Sequence, residues 1–291
     1  PDPYYVWVSE IMLQHTRVEA VKAYYARFLT AFPNIKSLAN APQDELMKLW
    51  QGLGYYSRAN NLKRAAIEIE ERFHGEFPRT YQEILSLPGI GEYTAGAIAS
   101  IALGEAVPAI DGNVYRIYTR LFEDDSDITK AAFKKQLRSE LLQTIPHGTP
   151  GIYNQAWMDL GATICQPNGA PLCDKCPFVS RCQAHIHDSW SAFPVKPPKK
   201  KRRIEEKTVI LLEYQGTYLV QKRPPKGLLA GLWEFPSQEG FVSMEELQKL
   251  LEHAKMYRQH LGHQERILLF HLLGKQEPSV FIVNQFSHTL C

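Results

Sequence analysis

The sequence predicts a mainly α-helical N-terminal domain joined to a smaller α+β domain. Three observations carry this expectation. Apolar residues recur at helical spacing over residues 1–185. A stretch rich in proline and lysine, Pro194-Val-Lys-Pro-Pro-Lys-Lys-Lys-Arg-Arg203, then interrupts them within a linker of residues 186–206. Residues 207–291 switch to short strand-like runs. At 291 residues the chain is long enough to bury two cores.

The helices follow from their stripes and caps. An apolar helix runs from Trp7 to Thr16, and Val18, Val21, Tyr25, Phe28 and Phe32 follow behind a Thr16-x-x-Glu19 capping box. Ala59, Leu62, Ala66, Ile69 and Phe73 form the next stripe, started by Ser57 and stopped near Gly75. Thr80-x-x-Glu83 opens a short helix that delivers Leu87 to a glycine turn. A helix from Glu92 to about Leu103 then stops at Gly104. Val114, Ile117, Tyr118 and Leu121 mark another, and Ala156, Leu160 and Ile164 mark the one that leads into Cys165. Short connections between amphipathic helices argue for an all-α bundle.

In the second domain, runs over Thr208–Tyr214 and Thr217–Arg223 flank Gln215-Gly216 and predict a hairpin. Ser243-x-x-Glu246 caps a helix with Leu247, Leu250 and Leu251 on its apolar side. Arg266–Leu273 and Ser279–Val283 supply two more strands. The linker reads first as a soluble tether, with a phosphate-contacting strap or a localisation signal as the sharper alternative.

Net charge is only +2, so electrostatics give no global sign of a nucleic-acid partner. No secretory segment and no apolar run long enough to span a bilayer is present in the sequence. A cytosolic protein with reduced thiols is the expected class. The start at Pro-Asp-Pro and the end at Cys291 are compatible with a fragment.

Leu87-Pro-Gly-Ile-Gly-Glu-Tyr-Thr-Ala-Gly96 is the most informative stretch, followed by Ile110-Asp-Gly-Asn-Val114. The turn at Gly89 and Gly91 opens a helix whose first N–H groups can hold a phosphate. Without more, the same pattern is a corner between helices. It resembles the helix-hairpin-helix of DNA glycosylases, in which the hairpin grips a DNA backbone and the aspartate serves the chemistry.

Cys165, Cys173, Cys176 and Cys182 crowd the end of the helical part as C-x7-C-x2-C-x5-C. Spacing alone leaves a four-thiolate zinc site and an iron–sulfur cluster equally open. The run resembles the C-x6-C-x2-C-x5-C loop of endonuclease III-like glycosylases, which implies a [4Fe–4S] cluster on residues 165–182. The extra residue falls in Pro167–Pro171, where a loop absorbs it. Cys291 has no assigned role.

Cleaving a glycosidic bond takes one acid for the leaving group and one carboxylate for the cationic sugar. Asp111 suits the second task. Glu10, followed by Ile11, Met12 and Leu13, suits the first, because partial burial raises a carboxyl pKa. A lone acid on such a helix is otherwise a surface residue or half of an ion pair.

Five segments in order resemble the MutY family of adenine DNA glycosylases. They are Trp7-Val-Ser-Glu-Ile-Met-Leu-Gln14, Gly52-Leu-Gly-Tyr-Tyr-Ser-Arg58, the hairpin, Asp111-Gly-Asn-Val114 and the cysteine loop. The resemblance implies that Glu10 protonates a flipped adenine and that Asp111 stabilises the sugar cation, with Tyr93 and Asn113 lining the site. A lysine at the position of Tyr93 would form a Schiff base and cleave the strand; tyrosine implies a monofunctional enzyme. Leu53 and Tyr55 are the expected wedge into the base stack, with Tyr56 in the core. Gln14 and His15 are expected at the lesion pair, and His15 departs from the family's glutamine, introducing a charge that varies near neutrality.

Leu228-Leu-Ala-Gly-Leu-Trp-Glu-Phe-Pro236 resembles the family's Nudix-related C-terminal domain. No Arg-Glu-x-x-Glu-Glu series follows, so this domain is expected to recognise rather than hydrolyse. Phe286, Ser287 and His288 match the loop that reads 8-oxoguanine opposite the adenine. The implied partner is duplex DNA with 8-oxoguanine:A or G:A mispairs, bound by a monomer with no membrane association. The short linker points to a bacterial cytoplasmic, nucleoid-associated protein. The resemblance also implies a helix ahead of Pro1 and strands after His288, so the second domain is expected to be incomplete. Two alternatives stay open: an endonuclease III-like glycosylase with lyase activity, and a non-catalytic helix-hairpin-helix DNA-binding module.

Overall fold

A computed structural model describes residues 1–198, 207–214, 217–224, 226–227, 229–243, 245–246, 249 and 279–283. The chain divides into two units, Pro1–Pro198 and Lys199–Cys291.

The first unit is helical among its described residues. Asp2 caps α1 (Pro3–Leu13), accepting a 2.8 Å bond from the Tyr4 N–H, and a proline in the first turn helps it start. The Thr16-x-x-Glu19 box does not form. His15 takes a left-handed backbone (φ 61°) and the Thr16 hydroxyl turns back to the Gln14 carbonyl, so α2 (Val18–Ala31) begins behind Arg17 without a side-chain cap. Two helices that no stripe announced follow, α3 (Ile35–Ala39) and α4 (Gln43–Trp50). Then comes α5 (Ser57–Phe73), which ends in consecutive left-handed residues, His74 and Gly75. The Thr80–Glu83 box does form and opens α6 (Tyr81–Leu85).

The hairpin joins α6 to α7 (Glu92–Ala102). Gly89 has φ +76°, and a Cβ there would lie 2.5 Å from Asn61 Cβ, so both conformation and space demand glycine. Asp111 then caps α8 (Gly112–Phe122), followed by α9 (Ala131–Thr144), α10 (Pro150–Thr163) and α11 (Gln183–Ile186).

Two apolar clusters hold these helices. The larger buries Trp7, Met12, Phe28, Trp50, Leu62 and Ile69, and the smaller packs Val114 and Tyr118 against Phe133, Leu137 and Leu141. Each large side chain contributes about 1.5–3 kcal/mol. Asn154, on α10, ties the loop between α7 and α8. Its Oδ1 accepts from the Ala109 N–H at 3.0 Å, and its Nδ2 donates to Ser100 Oγ at 2.8 Å and to the Val107 carbonyl at 2.9 Å.

In the second unit, β1 (Lys207–Tyr214) pairs antiparallel with β2 (Thr217–Tyr218), β5 (Ser237–Glu239) and β6 (Ser279–Val283). The expected hairpin closes with Tyr214 opposite Thr217. The expected strand over Thr217–Arg223 is instead split, and its second half, β3 (Gln221–Lys222), pairs with β4 (Trp233–Glu234) in a separate ribbon. The Ser243–Glu246 capping box is present. Leu247, Leu250, Leu251 and the strand expected over 266–273 lie outside the described residues. Among the described residues, no helix is long and apolar enough to cross a membrane.

Asn154→Ala would strand the Ala109 N–H and the Val107 carbonyl in the interior. Chemical denaturation should show a loss of about 2–4 kcal/mol, whereas a loss under 1 kcal/mol (roughly one ordinary hydrogen bond) would mean that solvent reaches these groups.

Candidate active site

Glu10 sits on the third turn of α1, only 8% exposed, between the apolar neighbours that drive this helix into the core. The Tyr93 hydroxyl, from the first turn of α7, lies 2.8 Å from Glu10 Oε2 and 3.1 Å from Met158 Sδ on α10. Burial pushes the Glu10 carboxyl above its ordinary value, the Tyr93 bond opposes that shift, and the nearby charge of Asp111 adds to it. Burial also raises the Tyr93 phenol, and Glu10 adds to that, so the phenol stays protonated.

Asp111 is held by the helix it caps. Oδ1 accepts from the Asn113 N–H at 2.8 Å and the Val114 N–H at 2.9 Å, while Oδ2 accepts from Asn113 Nδ2 at 2.7 Å. Free N–H groups and the helix dipole both favour negative charge here. Asn113 is fixed in turn, because its Oδ1 accepts from Arg116 Nη2 at 2.8 Å. Gly161 makes room for it: a Cβ on Gly161 would come within 2.4 Å of Asn113 Cβ. The structure thus brings Glu10, Tyr93, Asp111 and Asn113 together from α1, α7 and α8.

The expected DNA-facing residues divide. Leu53 is buried in the larger core at 7% exposure, whereas Tyr55 is 50% exposed. Tyr55 also has a left-handed backbone (φ 46°), and its ring stacks on His15 with centroids 5.0 Å apart. Gln14 Nε2 donates to Thr94 Oγ1 at 3.3 Å, linking the end of α1 to α7. Gln14, His15, Tyr55, Arg58 and Gly89 all line one cavity of about 260 Å³. Tyr56 packs partly buried against the core. Phe286, Ser287 and His288 lie outside the described residues.

Arg58 organises this corner and escaped the sequence reading. Its Nη1 donates to the carbonyls of Ile11, Met12 and Gln14 at 2.8, 3.1 and 2.6 Å, and its Nη2 to those of Leu53 and Gly54 at 3.0 and 3.2 Å. One guanidinium therefore satisfies the orphan carbonyls at the end of α1 and fixes the Gly52–Tyr55 loop. The available signal was position: Arg58 shares a face with Leu62, Ala65 and Ile69, where a cation is out of pattern.

Cys165, Cys173, Cys176 and Cys182 are free thiols lining one further cavity, together with Arg120, His185 and Trp190. Among the described residues no three His, Cys, Asp or Glu side chains close on a point that could hold a single metal ion. Two buried arginines of α8 serve this loop. Arg116 Nε donates to the Cys165 carbonyl at 2.8 Å, and Arg120 Nη1 reaches Cys165 Sγ at 3.3 Å and the Gln166 carbonyl at 3.0 Å. Neither arginine, nor Met158 or Gly161, was singled out from sequence.

Comparison with known proteins fits this geometry. Residues 8–142 match the HhH-GPD superfamily of base excision DNA repair proteins, and residues 208–283 match the NUDIX domain. A thermostable thymine-DNA glycosylase of known structure superposes with TM-score 0.58 at 28% identity, covering 64% of this chain and 85% of its own. The first unit therefore has the fold of a helix-hairpin-helix base-excision repair glycosylase. The adenine DNA glycosylase of Buchnera aphidicola (subspecies Baizongia pistaciae) is 34% identical over 98% of this chain and 81% of its own length. The human adenine DNA glycosylase is 38% identical over 80% of this chain and 51% of its own. This chain belongs to the adenine DNA glycosylase family, and it spans about half the length of the human relative.

Arg58→Met should release five carbonyls at once. The expected result is a stability loss of about 2–4 kcal/mol together with faster amide exchange over residues 52–58. Unchanged exchange there would show that Arg58 does not hold the loop.

Proposed function

We propose that this chain hydrolyses the N-glycosidic bond of adenine mispaired with 8-oxoguanine or guanine in duplex DNA, without cleaving the strand. The observation that carries this reading is the carboxyl pair. Glu10 is buried, with its pKa raised, and Asp111 is held as an acceptor at a helix N-terminus. Protonated Glu10 gives its proton to the adenine ring, which leaves with the electrons of the bond to C1′. Asp111 stabilises the positive charge that remains on the sugar, and Asn113 keeps Asp111 aimed. Glu10, now a carboxylate, takes a proton from the water that completes the sugar. Tyr93 holds Glu10 and offers no amine for a Schiff base.

The DNA itself would lie against the hairpin at Gly89 and Gly91, whose N–H groups suit a backbone phosphate. Gln14 and the stacked pair of His15 and Tyr55 would meet the bases, with Leu53 supporting that wedge from inside the core. Phe286, Ser287 and His288 would read the 8-oxoguanine from the second domain. The proposed domain division is residues 1–185, linker 186–206 and 207–291. The protein would act as a monomer on the nucleoid of a bacterial cytoplasm.

The four cysteines would hold a [4Fe–4S] cluster. The four thiols line one cavity, and a set of four cysteine thiolates is the usual ligand set of such a cluster. The cluster would order the loop after α10 and take no part in the hydrolysis. Purified protein should therefore be brown and carry iron and sulfide, and Cys173→Ser should lose both. Zinc without visible absorbance would refute this assignment.

Single-turnover adenine release on matched 8-oxoguanine:A and G:A duplexes tests the activity. Glu10→Gln and Asp111→Asn should each slow release by about 10²–10⁴-fold. Release should also fall as pH rises through the elevated Glu10 value, because the acid form is then lost. Trapping of a covalent DNA adduct by borohydride would point to a lyase instead.

A further inference from the structure

Tyr93 Oη has two acceptors within reach, Glu10 Oε2 at 2.8 Å and Met158 Sδ at 3.1 Å, but only one proton to give. When Glu10 is ionised, the carboxylate is much the stronger acceptor and takes that proton. When Glu10 is protonated it becomes a donor, and the same 2.8 Å contact then works in reverse, with the phenol oxygen accepting. The phenol proton must then turn elsewhere, and the thioether lies on that side. Sulfur is a weak acceptor, too weak to draw Tyr93 away from the ionised carboxylate.

We propose that Met158 is a positioning residue: its sulfur receives the Tyr93 proton whenever Glu10 is protonated, so that Tyr93 holds Glu10 in both protonation states. The switch is a property of three side chains on α1, α7 and α10. Only its catalytic consequence rests on the glycosylase reading above, where Glu10 must be an acid first and a base afterwards.

The groups that face Glu10 are few. Tyr93 meets it from α7 and Asp111 from the start of α8, and α10 contributes the uncharged Met158. From α5, Arg58 reaches α1 but binds the carbonyls of Ile11, Met12 and Gln14. From α2, the Tyr25 hydroxyl binds the Tyr5 carbonyl, more than a turn away. Replacing the sulfur by carbon therefore removes an interaction made in one protonation state only. Its sign is fixed: the protonated state loses an acceptor, so Glu10 ionises at lower pH.

The test is an infrared titration of the Glu10 carboxyl in protein labelled with ¹³C-glutamate, its band assigned by its loss in Glu10→Gln. Met158→Leu should lower the midpoint by about half to one pH unit. Met158→Gln, which restores an acceptor, should return it to the parent value or above. In a Tyr93→Phe background, Met158→Leu should add no further shift. The high-pH limb of single-turnover adenine release should move with the midpoint. An unmoved midpoint in Met158→Leu, or an equal shift without the Tyr93 hydroxyl, overturns the proposal. Should the leucine variant fail to fold, a Met158→Gln midpoint below the parent's does the same. A shifted titration in protein that releases no adenine would support the switch while refuting the glycosylase reading.

Discussion

The capping of α8 by Asp111 is the interaction on which the rest of the site depends. A helix cap is worth about 1 kcal/mol to stability, but here it also aims the carboxylate that faces Glu10. α8 then works as a spine. Asn113 sits at its start beside Asp111, Arg116 follows one turn later, and Arg120 a turn beyond reaches the thiol of Cys165. The cysteine loop is thereby anchored to the helix that Asp111 caps.

Glu10 and Asp111 come from different cores. α1 and α7 belong to the larger apolar cluster, whereas α8 packs in the smaller one with α9. The separation of the two carboxyls therefore depends on how the clusters meet. Bare backbone sets that approach. A Cβ on Gly96 would come 2.6 Å from the Pro108 carbonyl oxygen, and one on Gly151 2.8 Å from Ile101 Cα. Asn154 crosses the same seam through its three hydrogen bonds. Packing and polar ties thus determine a distance that no single helix could fix.

Much of this was legible in the sequence, and the exceptions share a cause. Glu10 stood out because a carboxyl within an apolar helix breaks a pattern, and Asp111 because an aspartate between an apolar run and a glycine marks a helix start. The Thr80–Glu83 box and the strand over 279–283 needed only local information. Arg116 and Arg120 were silent, and Arg58 showed only as a cation out of pattern on an apolar face, because an arginine in a sequence looks solvated until the carbonyls that it binds are known. The Thr16–Glu19 box failed for a similar reason: the left-handed backbone of His15 redirected the chain. The strand over 217–223 split because its second half found a different partner, a non-local choice.

His15 and Tyr55 both occupy left-handed backbone conformations that side chains of their type rarely adopt, and they lean on each other across 5.0 Å. Such conformations cost about 1–3 kcal/mol each in strain. Glycine at either position would relieve the strain but remove the stacked pair. Arg58 buttresses both residues: its guanidinium lies 5.7 Å from the Tyr55 ring centroid and binds the carbonyls of Gln14 and Gly54, the residue before each. A pair fixed in this way has little side-chain freedom left to lose to any contact that it makes.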